Sequence, residues 1–213
     1  MRVLIRELTA ETFAACLDEA AARLLAGEVC ALPTETVYGL FADGANEAAC
    51  RRLYEVKGRD DAKPISLLAA DVEMADTVAV LGEAARRLFD AFSPGPLTLI
   101  LPKKPGAAVA KSICGDGGSI GIRIPAHDLV LALLKRMGRP LAATSANLAG
   151  EKSPVNASEV IAQLDGRIPL LIDGGETRVQ AASTVAGWQE DELRIYRSGS
   201  ISIEDARKVL NLS

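Results

Sequence analysis

Along its 213 residues the chain alternates short apolar runs with segments of helical period, and glycine, proline or a capping residue stands where the pattern changes. That alternation commits it to the α/β or α+β class. Residues 10–26, AETFAACLDEAAARLLA, predict an amphipathic helix closed by Gly27, and Val29 to Leu32 a short strand stopped by Pro33. The loop PTETVYG follows. Asn46 is placed to cap a helix over EAACRRLYEVK that ends near Gly58 and delivers Lys57 and Arg59 at its carboxyl end. Ile65 to Leu68 predicts a strand, 82–92 a helix, and Leu97 to Leu101 a strand entered through the turn SPGP.

The segment SIGIRIP alternates strictly, so Ile120, Ile122 and Ile124 share one face and Ser119, Gly121 and Arg123 the other. Arg123 is therefore expected to point away from the core. A helix is predicted over 128–137, a strand from Leu141 to Ala143, a polar loop over TSANLAGEKSPVN, and a helix over 157–164. Then come a strand from Ile168 to Ile172, the loop DGGETRVQAA, strands at Thr184 to Trp188 and Leu193 to Tyr196, and a last helix capped by Ser202. No internal repeat interrupts the series, and the length predicts one domain over 1–213.

Apolar residues make up 49% and charged residues 24%, the balance of an ordinary globular chain. A formal charge of −4 supplies no global attraction for nucleic acid, although a local basic cleft is compatible with it. That argues against whole-surface RNA binding. Cys16, Cys30, Cys50 and Cys114 stand far apart, with no C-x-x-C pair and His127 as the only histidine, which argues against a structural zinc site. Reduced thiols packed as small apolar residues, in a reducing compartment, are expected instead. The amino terminus lacks the apolar run of a signal peptide and no apolar stretch is long enough to span a bilayer, so the expected location is the cytoplasm.

Neither G-x-x-x-x-G-K-[ST] nor a G-x-G-x-x-G after a strand occurs, so the ordinary P-loop and dinucleotide folds are excluded. GGSIG at 117–121 matches G-x-S-x-G, but a strand pattern follows where a nucleophile elbow needs a helix. His127, near Pro125 at a predicted helix start, suits a capping or solvated role better than that of a base. KGRDDAK gathers Lys57, Arg59 and Lys63, a run that in isolation describes a solvated face partly neutralised by Asp60 and Asp61. Its neighbours change that reading. Ser119/Arg123, Ser145/Asn147/Ser153 and Ser183/Arg197 recur where predicted strands stop or expose a polar face, and clefts of α/β sheets form at strand ends. Guanidinium, ammonium and hydroxyl donors in one cleft are what a nucleotide triphosphate needs. Transfer to or from ATP relies on positioning and charge stabilisation rather than on a protein nucleophile, so a histidine-poor chain is no obstacle.

At these residues the chain resembles the YrdC-like family of L-threonylcarbamoyl-AMP synthases, in its short, single-domain form. PTETVYG at 33–39, Lys57-Gly58-Arg59 and Ser145-Ala146-Asn147 correspond to that family's loop, K-x-R and S-x-N motifs, and the likeness continues through KP at 63–64, SPGPLTLIL, GIRIP, AATSANLAGEKSP, STV and YRSG in family order. The resemblance implies a twisted mixed β-sheet flanked by helices around a positively charged cavity. It implies a reaction of L-threonine, bicarbonate and ATP to threonylcarbamoyl-AMP and pyrophosphate. Lys57 and Arg59 then fall at catalytic positions, and Arg59, Lys63, Ser119, Ser145, Asn147, Ser153 and Arg197 at ATP-binding ones. Thr36, Arg123, Ala143 and Ser183 match positions that bind threonine, with Arg123 suited to its carboxylate and Ala143 able to offer only backbone groups. Mg²⁺ is expected with the triphosphate, without assigned protein ligands. The partner implied is a transfer complex acting on adenosine 37 of tRNA; direct contact with tRNA is left open. The chain departs from the family at Leu68, where some longer members carry a histidine, and at Thr144 and Val155. Two other readings are weighed: a noncatalytic RNA-binding relative, which the intact Lys57, Arg59, Ser145 and Asn147 argue against, and carbamoyl transfer in hydrogenase maturation, which the lack of C-x-x-C pairs argues against.

Overall fold

The computed structural model describes residues 2–58 and 63–212; Arg59, Asp60 and Asp61 of the KGRDDAK run lie outside the described residues. Ten strands form one mixed sheet: β1 (Leu4–Glu7), β2 (Cys30–Leu32), β3 (Gly39–Asp43), β4 (Ser66–Leu68), β5 (Leu97–Pro102), β6 (Ser119–Arg123), β7 (Leu141–Ser145), β8 (Leu170–Asp173), β9 (Thr184–Gln189) and β10 (Glu192–Arg197). Their order across the sheet is β1-β8-β2-β3-β7-β4-β6-β5-β9-β10. Parallel pairing joins β4 to β6 and β5 to β9, while β3 to β7, β4 to β7, β5 to β6 and β9 to β10 run antiparallel. The hairpin between β9 and β10 turns on Glu190 and Asp191, both with positive φ, the backbone that matches strand twist in a two-residue loop.

Seven helices cover this sheet: α1 (Phe13–Leu25), α2 (Glu47–Lys57), α3 (Val72–Val78), α4 (Glu83–Phe92), α5 (Asp128–Met137), α6 (Ala157–Leu164) and α7 (Ile203–Leu210). The alternating strands sort their side chains into two cores. Leu40, Leu67, Leu99 and Ile122 pack with residues of α2, α4, α6 and α7. Phe41, Leu68, Leu141 and Ile172 face the other way and pack with Leu24 of α1 and Leu133 of α5. α1 and α5 thus cover the part of their face built by β8, β2, β3, β7 and β4. Toward one end of β3, β7 and β4, and over β6, β5, β9 and β10, that face is bounded by loops, and this is where the site lies.

The caps follow the sequence. Asn46 accepts a hydrogen bond from the Ala49 N–H at 3.1 Å, and Gly58 takes the left-handed conformation (φ 58°) that ends α2 and turns the chain into the K-x-R loop. Ser202 and Asp205 close a reciprocal capping box on α7. Three elements escape sequence reasoning: β1, α3 and β3. The last matters most, because GLFAD is a buried strand beside the site. Cys16, Cys30 and Cys50 are buried free thiols, Cys114 is partly exposed and also free, and burial pushes Cys30 and Cys50 up to about 12. A thiol held protonated in this way is a poor nucleophile, so Cys30 and Cys50 act as packing residues. Among the described residues no helix is long and apolar enough to cross a membrane.

Asn46→Ala is expected to cost about 1 kcal/mol of stability in urea unfolding. A loss below roughly 0.3 kcal/mol would mean that packing alone starts α2.

Candidate active site

Strand register assembles the site. Leu68 of β4 pairs with Arg123 of β6, Arg123 with Thr98 of β5, Thr98 with Val185 of β9, and Val185 with Arg197 of β10. Directly opposed residues project from the same face, so five strands carry a transverse row with a guanidinium at its second position and another at its end. Beside it run a second row, Phe41–Ala143–Ser66, and the pair Gly39–Ser145. Together they floor a cavity of about 500 Å³, rimmed by the loop Thr34–Tyr38, by Lys63 and Pro64, and by Ala182 and Ser183. Lys63, Arg123 and Arg197 line it, and among its described lining residues there is no Asp, Glu or His.

The hydrogen bonds of Arg197 and Arg123 go to neutral acceptors. Arg197 donates from Nε to the Ser183 carbonyl at 3.0 Å and from Nη2 to Ser183 Oγ at 2.9 Å, so its head is turned inward although the residue as a whole is exposed. Ser183 Oγ also meets Thr98 Oγ1 at 2.9 Å. Burial lowers the Arg197 pKa, and the nearby Arg123 adds to that, the mark of two like charges with no interposed anion. Arg123 donates from Nε to the Gly95 carbonyl at 3.1 Å and from Nη2 to Thr36 Oγ1 at 2.9 Å. The expectation that it points away from the isoleucines holds, but it is buried, not solvated.

The PTETVYG loop is rigid for visible reasons. Thr34 Oγ1 donates to the Val37 carbonyl at 2.6 Å and meets Thr36 Oγ1 at 2.9 Å. Tyr38 donates its hydroxyl to the Gly175 carbonyl at 2.7 Å and accepts from the Gly174 N–H at 3.0 Å, pinning the loop to the end of β8. Its backbone N–H reaches the Pro154 carbonyl at 2.9 Å, which ties in the S-A-N loop.

Of the residues singled out from sequence, Thr36, Lys63, Arg123, Ala143, Ser145, Ser183 and Arg197 line one cavity. Lys57 lies elsewhere. Its ammonium is buried and donates to the carbonyls of Ser145 at 2.5 Å and Asn147 at 2.8 Å, outside the cavity lining. A charge enclosed by carbonyls stabilises a loop and is poorly placed to meet substrate. Asn147 plays a similar part, donating from Nδ2 to the carbonyls of Leu148 and Glu151 at 2.7 and 2.9 Å. Ser119 starts β6 and donates to the Asp116 carbonyl at 3.1 Å, and Ser153 is half-buried beside Pro154; neither lines the cavity. With β6 directly after Ser119, a nucleophile elbow is excluded. His127 occupies the N-cap position of α5 but makes no side-chain cap; it is half-buried, with Nδ1 unpartnered among the described residues.

Sequence reasoning missed three contributors. Thr98 is the lone polar residue in LTLIL, at the strand position that faces Arg123. Tyr196 is exposed on the cavity rim. Glu35, 4% exposed, sits behind Arg123 with Oε1 at 2.7 Å from Nη2. That contact is too oblique for a hydrogen bond, and neither carboxylate oxygen accepts one among the described residues.

A mixed sheet bearing a loop-rimmed, cation-lined hollow has the charge and shape suited to small anionic molecules. The chain belongs to the Sua5/YciO/YrdC family, whose model, described as telomere recombination, matches residues 22–199. It is 42% identical over 195 residues to the threonylcarbamoyl-AMP synthase of Bacillus subtilis, covering 91% of this chain and 56% of that protein. To the synthase of Pyrococcus abyssi it is 40% identical over 185 residues, 86% of this chain and 54% of that one. The chain thus spans about half the length of these relatives. Among solved structures, P. abyssi Sua5 complexed with L-threonine superimposes with a TM-score of 0.90 at 36% identity, over 99% of this chain and 61% of that one.

Lys57→Met is expected to lose roughly 1.5–3 kcal/mol of stability, the worth of a charged donor to buried carbonyls. Unchanged urea unfolding would remove Lys57 from the anchoring role.

Proposed function

We propose that this chain is an L-threonylcarbamoyladenylate synthase, converting L-threonine, bicarbonate and ATP to threonylcarbamoyl-AMP and pyrophosphate. The observation that carries the reading is the convergence of Arg123, Arg197 and Lys63 on one cavity with no acidic lining among the described residues. Such a hollow attracts anions, and all three substrates bring negative charge. The likeness to proteins named as threonylcarbamoyl-AMP synthases supports the choice of substrates.

In this reading Arg123 pairs with the threonine carboxylate while Thr36, Ser183 and the backbone at Ala143 surround the amino acid. Lys63, Ser145 and Arg197 meet the nucleotide inside the cavity, and Arg59, Ser119 and Ser153 are assigned to the part of it that extends beyond the lining. Lys57 and Asn147 act on it by holding the Ser145–Asn147 loop. The cationic surroundings disfavour a protonated amine, and the neutral amine is the form that captures carbon. Amine and bicarbonate condense to a carbamate with loss of water. A carbamate oxygen then bonds to the α-phosphorus as the bond to the bridging oxygen of the β-phosphate breaks, and pyrophosphate leaves with that electron pair. The protein contributes orientation and charge stabilisation to an in-line displacement.

Magnesium is expected with the triphosphate. Among the described residues no group of three His, Cys, Asp or Glu side chains is placed to hold a metal, so the fit is with an ion carried on phosphate oxygens. The ion would neutralise phosphate charge. The product would be consumed by a complex that modifies adenosine 37 of tRNA, in the cytoplasm, within one domain over 1–213.

Mass spectrometry of the protein mixed with ATP, threonine and bicarbonate is expected to find threonylcarbamoyl-AMP. Its absence, with salt-sensitive tRNA binding in its place, would favour the noncatalytic reading. Arg123→Ala is expected to raise the threonine KM about tenfold or more, a loss of ~1.4 kcal/mol, with little change in the ATP KM. Equal rises in both would refute the carboxylate role.

A further inference from the structure

Glu35 lies between the two substrate-facing threonines of its loop, yet its carboxylate is turned behind the cavity wall. Neither oxygen has accessible surface or a hydrogen-bond donor among the described residues, so no ligand in the cavity touches it. The cation it faces is Arg123, with Oε1 2.7 Å from Nη2. Behind it stands His127, whose pKa is lowered by burial, so the imidazole adds no second positive charge there at neutral pH. A buried carboxylate without donors is costly, and its position needs an explanation.

The contacts of Arg123 supply one. Nε is held by the Gly95 carbonyl, and Nη2 by Thr36 and the proximity of Glu35. Nη1 has no hydrogen-bond partner among the described residues, which leaves two N–H donors of a fixed planar fork. Arg197 repels Arg123 from within the same cavity. Without a counter-charge behind it, a buried guanidinium in that position would gain by turning out toward water.

We propose that Glu35 is a positioning residue: it holds the inner edge of Arg123 from outside the cavity, so that Nη1 is presented to an amino-acid carboxylate in one geometry. This rests on the amino-acid role given to Arg123 above. A second effect has the opposite sign, because Glu35 also repels the incoming carboxylate, and removing its charge could tighten binding. Orientation prevails here, since two neutral acceptors remain to hold Arg123 against Arg197 once the carboxylate is gone.

The test compares Glu35→Gln and Glu35→Asp with the wild-type protein by steady-state kinetics and by calorimetric titration with L-threonine. Glu35→Gln is expected to raise the threonine KM and dissociation constant about tenfold or more, as loss of a charged partner implies, with the ATP KM within about twofold. Glu35→Asp should recover part of the loss. A threonine KM unchanged or lowered in Glu35→Gln, with the wild type active, would overturn this inference alone. If Glu35→Gln does not fold, Glu35→Asp must still show a rise confined to threonine, and equal rises for both substrates would overturn the inference. A wild-type protein that makes no adenylate from threonine would overturn the underlying reading as well.

Discussion

Two guanidiniums on one face of a sheet, close enough for one to depress the pKa of the other, set the terms for the rest of the site. Like charges in a partly buried hollow are tolerable only if the surroundings hold them by neutral dipoles, supply a counter-ion out of reach, or await an anionic ligand. All three devices are present. Carbonyls of Gly95 and Ser183 and hydroxyls of Thr36 and Ser183 take the N–H groups, and Glu35 stands behind Arg123 outside the cavity. What remains unmatched faces the hollow, which therefore favours anionic ligands. The proposed substrates, a nucleotide and an amino acid, together bring that charge.

The framework serves that arrangement through register. A slip of one residue in β5 or β9 would turn Thr98 and Val185 to the helix-covered face and separate Arg123 from Arg197. The apolar residues that fix the register, Leu97, Leu99 and Ala186, are all fully buried. Core packing thereby positions the chemistry. On the loop side, Lys57 does for Ser145 and Asn147 what Tyr38 does for the threonine loop: each ties an irregular segment to regular structure through its polar end. Gly199 shows how closely the last of these segments approaches. A Cβ there would stand 2.3 Å from the Thr184 nitrogen, so the chain after Arg197 passes where only glycine fits.

Much of this was legible in the chain. Helix caps at Asn46 and Ser202 and the alternation in SIGIRIP carry their own physics over a few residues, and they predicted the elements found. The short strand β3 was missed because five residues, the first of them a glycine, carry no periodicity. Arg123 was recognised as off the isoleucine face, but its burial depends on loops and strands from residues 34 to 197, which no local pattern encodes. The same reason hid Thr98 and Glu35. A lone threonine in an apolar strand and a glutamate in a polar loop become informative only when register places one beside Arg123 and folding places the other behind it. Lys57 was given a catalytic position by its motif, and its ammonium lies outside the cavity lining against loop carbonyls. A helix end next to a basic run carries no signal of which cation turns inward.

The most direct measurement of the central claim is a crystal structure of the protein with L-threonine and a non-hydrolysable ATP analogue. The threonine carboxylate is expected within hydrogen-bonding distance of Arg123 Nη1, with phosphate oxygens on Lys63 and Arg197 in the same cavity. Ligands bound elsewhere, or a cavity left empty at saturating concentrations, would contradict the account.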